Sequence, residues 1–206
     1  MNRIYTTIFF SFFIFIVAPI ITFSQKDVDS YKLLPEKSTI EWEGKKVLGA
    51  HNGIVKFLSG FLKMKNNLIT NGEFVVDMTS ITNSDLDDKE YNDKLVKHLK
   101  SEDFFNVSKY PKSTFKISKT EQYKDDENSN INYKIYGKMT IKGITKPIFF
   151  PAIIRIEDNG VFARAKFTID RTKWKIKYKS ASIFSGLGDK FIYDDIEFKM
   201  DLYFSK

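Results

Sequence analysis

From Tyr31 almost to the end of the chain, apolar and polar residues alternate with a period of two. Successive side chains of a strand point to opposite faces, so this period describes ribbons with one buried and one wet face. Ile40 and Trp42 alternate with Glu41 and Glu43, Val55 and Phe57 with Ile54, Lys56 and Leu58, and Leu62 and Met64 with Lys63 and Lys65. Asn66-Asn67 and Asn71-Gly72 read as turns, and Phe74–Met78 as a further strand. Phe115 and Ile117 open the next strand, and Lys124–Asn130 reads as a solvated hairpin tip. Tyr133, Ile135, Gly137, Met139 and Ile141 share a face, Gly143 turns the chain, and Ile148, Phe150, Ala152, Ile154 and Ile156 form another. Asp158-Asn159-Gly160 closes a hairpin onto Val161, Ala163, Ala165, Phe167 and Ile169. The last inward face is Ile196, Phe198, Met200, Leu202 and Phe204. About eight such runs predict an antiparallel sheet that closes, because closure removes exposed edges. The interior of an eight-stranded barrel is either filled by side chains or holds one small ligand.

One stretch breaks the pattern. In Lys94–Pro111, Leu95 and Leu99 share a helix face that Val96 widens. Ser101, Glu102 and Asp103 suit the start of a second short helical turn. Phe104 and Phe105 add apolar bulk, and Pro111 denies Tyr110 the α conformation. A lid or plug on one end of the barrel is expected. The fold class is all-β: an eight-stranded antiparallel barrel with one or two short helices inserted.

Residues 1–24 read as a signal peptide. Arg3 supplies the positive start, Ile8–Val17 the apolar stretch, and Thr22-Phe23-Ser24 a cleavage site before Gln25. This leaves 25–206 as one domain with a periplasmic or secreted address. An uncleaved anchor is the alternative, since Ile4–Phe23 nearly spans a bilayer. The chain has no cysteine, which excludes disulfides, thiolate chemistry and lipid attachment at cysteine. The 20 phenylalanines and 10 tyrosines suit strands, and either pack a core or line a lipid-sized cavity. The net charge of +7 is compatible with anionic lipid, a phosphate-bearing ligand or nucleic acid. An exported chain seldom meets nucleic acid, so no nucleic-acid partner is expected.

Four ordered blocks carry a family resemblance. His98-Leu99-Lys100-Ser101-Glu102-Asp103-Phe104-Phe105 with Tyr110-Pro111 resembles the H-L-x-S-x-D-F-F…Y-P block of YceI-like proteins. The run from Gly137 to Ile148 (GKMTIKGITKPI) resembles that family's G-x-L-T-I-K-G-x-T-x-P-I block. Asp77–Ile81 and Ile169–Trp174 resemble two further stretches. Two positions depart: Leu95-Val96 stand where many members have Arg-Asp, and Lys175 where many have glycine. The resemblance implies a lipocalin-like barrel, usually periplasmic and often a homodimer. It also implies binding of a long amphipathic lipid such as a polyisoprenoid, an isoprenoid quinone or a fatty-acid derivative.

The inward-facing ligand candidates are Phe57, Phe74, Phe115, Tyr133, Ile135, Phe150, Phe167 and Phe198. Each buried methylene contributes ~0.8 kcal/mol, and association costs on the order of 4–15 kcal/mol, so a useful ligand is long-chained. His98, on the lid helix, is either a structural hydrogen-bonder or a headgroup contact; His51 reaches for the same mouth. Arg171, Lys173, Lys175, Lys177 and Lys179 alternate with Thr172, Trp174, Ile176, Tyr178 and Ser180. As a strand, this places five cations on one face: a solvated outer face, or a basic rim for a phosphate headgroup or an anionic membrane surface. No metal site is expected from two histidines without cysteine. Asn83, Asp85, Asp87 and Asp88 fail the calcium-loop spacing and read as a solvated acidic turn. No nucleophile motif or cofactor fingerprint appears, so no cofactor and no catalysis are expected. The alternatives are a barrel filled by its own side chains, serving structure or interaction, and a lipid-modifying enzyme with a polar cluster inside.

Overall fold

The structure, a computed structural model, describes residues 28–122 and 130–206. The expected leader over residues 1–24 and most of the Lys124–Asn130 tip lie outside the described residues. The strands are β1 (Asp29–Leu33), β2 (Thr39–Lys46), β3 (Gly49–Lys65), β4 (Leu68–Asp77), β5 (Lys112–Gln122), β6 (Tyr133–Ile141), β7 (Ile144–Glu157), β8 (Gly160–Asp170) and β9 (Ile192–Ser205). The helix α1 covers Lys89–Lys100.

All these strands pair antiparallel in the order β1-β3-β2-β9-β8-β7-β6-β5-β4, and pairing of β3 with β4 closes the ring. β1 and β2 share one position between β3 and β9. β1 pairs the far half of β3 (Tyr31 with Leu62) and the end of β9 (Leu33 with Phe204). β2 pairs the near half (Ile40 with Val55) and the middle of β9 (Trp42 with Phe198). The nine strands therefore build an eight-position barrel.

Bulges keep the apolar face inward. Val55 and Phe57 point in at odd positions, Leu62 and Met64 at even ones, and the register shift between Phe57 and Ser59 reconciles them. Asn66 and Asn67, with φ of 53° and 62°, form the tight turn expected between β3 and β4. Asn71-Gly72 is not a turn: it lies within β4, with Gly72 opposite Leu62. A Cβ on Gly72 would stand 2.8 Å from the Ile117 and Leu62 methyls, so the glycine makes room for packing.

The two ends differ. One is closed by buried Leu33, Met64, Ile69, Tyr133, Val161 and Phe204. The other carries α1. Asp88 caps the helix by accepting from the N–H groups of Glu90 and Tyr91, so it begins five residues before Lys94. Leu99 is buried and Leu95 half-buried. Ser101 ends this helix rather than opening a second one. Its backbone N–H and its Oγ both donate to the His98 carbonyl, at 3.1 and 2.7 Å, which caps the C-terminal turn. Phe105 N–H donates to Leu99 O and Val107 N–H to Lys100 O, folding the chain back as a plug.

The run after β8 is not a strand. Asp170 accepts from the N–H and hydroxyl of Thr172, which turns Arg171–Trp174 into a short 3-10 helix. Lys175 follows in the left-handed region at φ 59°. Lys173, Lys175 and Lys177 are exposed, Trp174 and Ile176 are buried, and Arg171 is 0% exposed. The local cap ends the strand before any ladder partner takes up these residues, and Arg171 leaves the expected row of cations.

Candidate functional site

The barrel is hollow. A cavity of about 210 Å³ runs through it to the plug end, lined almost entirely by apolar side chains. Its wall is a belt of phenylalanines, one strand after another. Ring centroids step from Phe57 on β3 to Phe74 on β4 at 6.3 Å, and on to Phe115 on β5 at 6.4 Å. From there they pass to Phe150 on β7 at 5.4 Å, Phe167 on β8 at 4.5 Å and Phe198 on β9 at 5.5 Å. Trp42 on β2 stands opposite Phe198 in register. β6 contributes Gly137 here, and the Phe115 ring lies over it. Phe115, Phe167 and Phe198 face inward yet keep accessible surface, as wall residues of an unfilled space do.

Small residues make the space. Ala152 on β7 faces Ala165 on β8, with Ala163 two residues along, and all three line the cavity. Of the expected ligand residues, Phe57, Phe74, Phe115, Ile135, Phe150, Phe167, Phe198 and Arg171 border the cavity. Tyr133 does not. It sits 4% exposed at the closed end, where its hydroxyl donates to the Asn67 carbonyl at 3.2 Å.

Arg171 is a buried clamp. Nε donates to Tyr193 O at 3.2 Å, and Nη1 and Nη2 donate to Ile176 O and Ile192 O, each at 3.0 Å. Nη2 also lies 3.1 Å from Asp194 Oδ1. Burial pushes the guanidinium pKa down, and Asp194 and Asp170 pull it back up. This network staples the chain after β8 to the start of β9, which shapes the mouth. The Phe104 ring lies 5.6 Å from the guanidinium carbon. His98 stacks edge-on with Phe104 and Tyr178, at centroid distances of 5.4 and 4.3 Å, as part of the plug. It does not line the cavity.

At the mouth stands a polar group. Lys45, Lys46 and His51 line the cavity beside the turn joining β2 to β3. His51 Nδ1 lies 2.8 Å from Asp85 Oδ2, and its Nε2 lies 3.3 Å from Lys46 Nζ. An ammonium has no lone pair, so Nε2 is the acceptor and Nδ1 carries the proton donated to Asp85. Asp85 also accepts from Asn52 N–H at 2.8 Å and from the Asn83 amide. Burial alone would raise its pKa; these hydrogen bonds and His51 hold it below the ordinary value. The acidic stretch is thus anchored rather than a free solvated turn. Its backbone supplies the missing neighbour for β3 beyond the end of β4, with Thr82 N–H donating to Ile54 O and Ser84 N–H to Asn52 O. Lys46 carries no signal in the sequence, and the alternation puts Ala152, Ala163 and Ala165 on the apolar faces without marking them as cavity walls. Small residues at inward positions among phenylalanines were the available signal for a hollow.

These features define a closed antiparallel barrel with an apolar cavity capped by a short helix and open at a polar rim. The YceI-like domain model matches residues 31–204, and the chain belongs to the YceI-like family. It is 39% identical over 94 residues to a UPF0312 protein of Pectobacterium carotovorum, covering 45% of this chain and 44% of that protein. It is 37% identical over 94 residues to the protein YceI of Escherichia coli, covering 45% and 44%. The matches span less than half the length of these curated relatives. Among solved structures, the fold is similar to BcnA of Burkholderia cenocepacia, with TM-score 0.62, 22% identity and coverage of 83% of this chain and 98% of that one. It is also similar to a polyisoprenoid binding domain of Saccharophagus degradans, with TM-score 0.58, 11% identity and coverage of 85% and 97%.

Proposed function

We propose that this protein binds a long-chain amphipathic lipid inside its barrel and carries it without chemical change. The ligand class is a polyisoprenoid, an isoprenoid quinone or a fatty-acid derivative. The observation that carries this reading is the phenylalanine-walled, almost wholly apolar cavity that reaches the plug end. An apolar cavity left to water is costly, and a chain of many methylenes fills it at ~0.8 kcal/mol each. The polyisoprenoid binding domain of Saccharophagus degradans, similar in fold, supports the same ligand class. The reading without catalysis is supported by the mouth. His51 faces Asp85 and Lys46, neither of them a hydroxyl or thiol that a His–Asp pair would activate. The leader-like residues 1–24 support a periplasmic or secreted site of action.

The test is native mass spectrometry on protein purified from a bacterial periplasm without detergent. A discrete extra mass, released by organic solvent and fragmenting as a long-chain lipid, is the expected result. A clean unliganded mass, followed by failure of prenyl and fatty probes to bind, overturns the reading.

The plug end also fits an anionic membrane surface. Leu48 at the β2–β3 turn is 79% exposed, and Ile183 and Phe184 before β9 are 40% and 47% exposed. Exposed Lys45, Lys46, Lys173, Lys175, Lys177 and Lys190 accompany them. Apolar tips among lysines suit insertion between acidic headgroups, next to the mouth through which a lipid would pass. Sedimentation with vesicles rich in phosphatidylglycerol, but not with phosphatidylcholine vesicles, is the expected outcome. Equal sedimentation with both removes the charge argument.

A further inference from the structure

We propose that Lys46 and His51 form an oxyanion site at the cavity mouth, which selects lipids with a carboxylate or phosphate headgroup over neutral ones of equal chain length. The inference rests on the lipid-binding reading and specifies what sits at the polar end of the ligand.

The geometry is that of a prepared site. The cavity lining is apolar apart from a few groups, and the cations among them are not equivalent. Arg171 is taken up by three carbonyls and Asp194. Arg164 is held by both oxygens of Asp201 at 2.6 and 2.7 Å. Lys45 pairs with Glu43 at 3.2 Å. Lys46 has no carboxylate partner among the described residues; its neighbour is the imidazole of His51 at 3.3 Å. A lysine whose nearest partner is a neutral nitrogen keeps its full charge available to an incoming anion.

His51 positions that ammonium. Asp85 fixes the ring through Nδ1, and Asp85 is itself fixed by Asn52 N–H and Asn83. The carboxylate orients the imidazole so that its outer nitrogen, Nε2, accepts from Lys46 Nζ at 3.3 Å. An oxyanion arriving at Nζ takes a hydrogen bond from the ammonium. The imidazole, held by Asp85 on one side, keeps that ammonium at the cavity mouth from the other. Of the other charged groups of this corner, Lys45 and Glu43 on β2 pair with each other, and β9 runs alongside with Asp194, Asp195 and Glu197. The acyl or prenyl chain would extend from this point past Trp42 and Phe198 into the belt. Register brings the pieces together: His51 stands opposite Gly44, and Lys46 opposite Gly49 at the turn. Gly44 has open space where a side chain would be, which leaves the entrance unobstructed.

The test compares an 18-carbon fatty acid, the alcohol of the same chain, and inorganic phosphate, each bound to the delipidated full chain at pH 7 and low salt. A charge-assisted contact predicts that the acid binds about tenfold or more tighter than the alcohol. Lys46→Met lowers acid binding about tenfold more than alcohol binding and so abolishes that preference, while His51→Gln reduces it. Both residues are accessible at the rim, and matching thermal unfolding of the variants confirms that they fold. Inorganic phosphate that competes with the acid but not with the alcohol shows that the site takes a free oxyanion as well as a headgroup. Equal binding of acid and alcohol by the unmodified protein, or an undiminished preference in Lys46→Met, overturns the inference while lipid binding stands. Failure of both lipids to bind overturns the lipid-binding reading and this inference with it.

Discussion

The ring of Phe115 lies across Gly137, its Cζ only 2.3 Å from where a Cβ at that position would stand. Phe115 belongs to β5, yet its ring meets Phe150 on β7, because β6 between them presents no side chain there. One glycine thereby keeps the aromatic belt continuous. Gly137→Ala is expected to destabilise the barrel by about 1–3 kcal/mol through overpacking. In a double-mutant cycle read by urea unfolding, Phe115→Ala and Gly137→Ala should be clearly non-additive, the pair costing less than the sum. Additive losses would mean that the two residues do not share this space.

Ala165 and Ala152 face each other across β8 and β7 and border the cavity. Ala165→Phe should fill part of the hollow, lowering long-chain lipid retention with little loss of thermal stability. In a tightly filled interior the same change would cost about 1–3 kcal/mol. A strongly lowered unfolding temperature would therefore argue that the interior is packed rather than open.

Arg171 is fully buried, and its partners are backbone carbonyls and Asp194. Arg171→Met leaves those acceptors unmet, and removing one partner of a buried pair costs about 3–5 kcal/mol. Denaturant titration is the check. A loss below about 1 kcal/mol would place the side chain in solvent, where ion pairs are weak.

Asp85 supplies a pH signature. Its folded-state pKa lies below the ordinary 3.8, so the stability it contributes is fully present above that value. That contribution is lost as pH falls through the lower folded value. The stability gap between the unmodified protein and Asp85→Asn should be constant near neutrality and close below pH 3.8. A gap that instead widened on acidification would contradict the anchoring of Asp85 by Asn52, His51 and Asn83.

Lys175 stands at φ 59° and ψ 29°, in the left-handed region that favours glycine. A side chain in the left-handed region costs roughly 1–2 kcal/mol, part of which glycine gives back through its greater unfolded-state freedom. Lys175→Gly should raise stability by about 0.5–1 kcal/mol, read as a higher denaturation midpoint.

Much of this was legible in the chain. Alternation placed Phe57, Phe74, Phe150 and Phe204 inward, and the Asn66-Asn67 turn fell where expected. The misread elements share one cause. Asn71-Gly72 has turn chemistry but sits opposite Leu62 in a ladder, and Arg171–Lys179 has strand alternation but follows a capping aspartate. In both, a partner distant in sequence or a single side-chain cap outweighed the local pattern. Ser101 was read from its type, and the carbonyl it meets, that of His98, made it a stop instead of a start.

The sequence by itself determined a closing antiparallel barrel, a helical plug and a long row of inward phenylalanines, because a period of two and a capped apolar stripe are written in neighbouring residues. Only the tertiary structure decided that the barrel is hollow, that Arg171 is a buried clamp, and that Lys46, His51 and Asp85 meet at one mouth. Cavity volume depends on which side chains face one another around the whole ring. The mouth depends on a loop 34 residues along the chain from His51 docking against the edge of β3. Those quantities are sums over non-local contacts, which no local pattern contains.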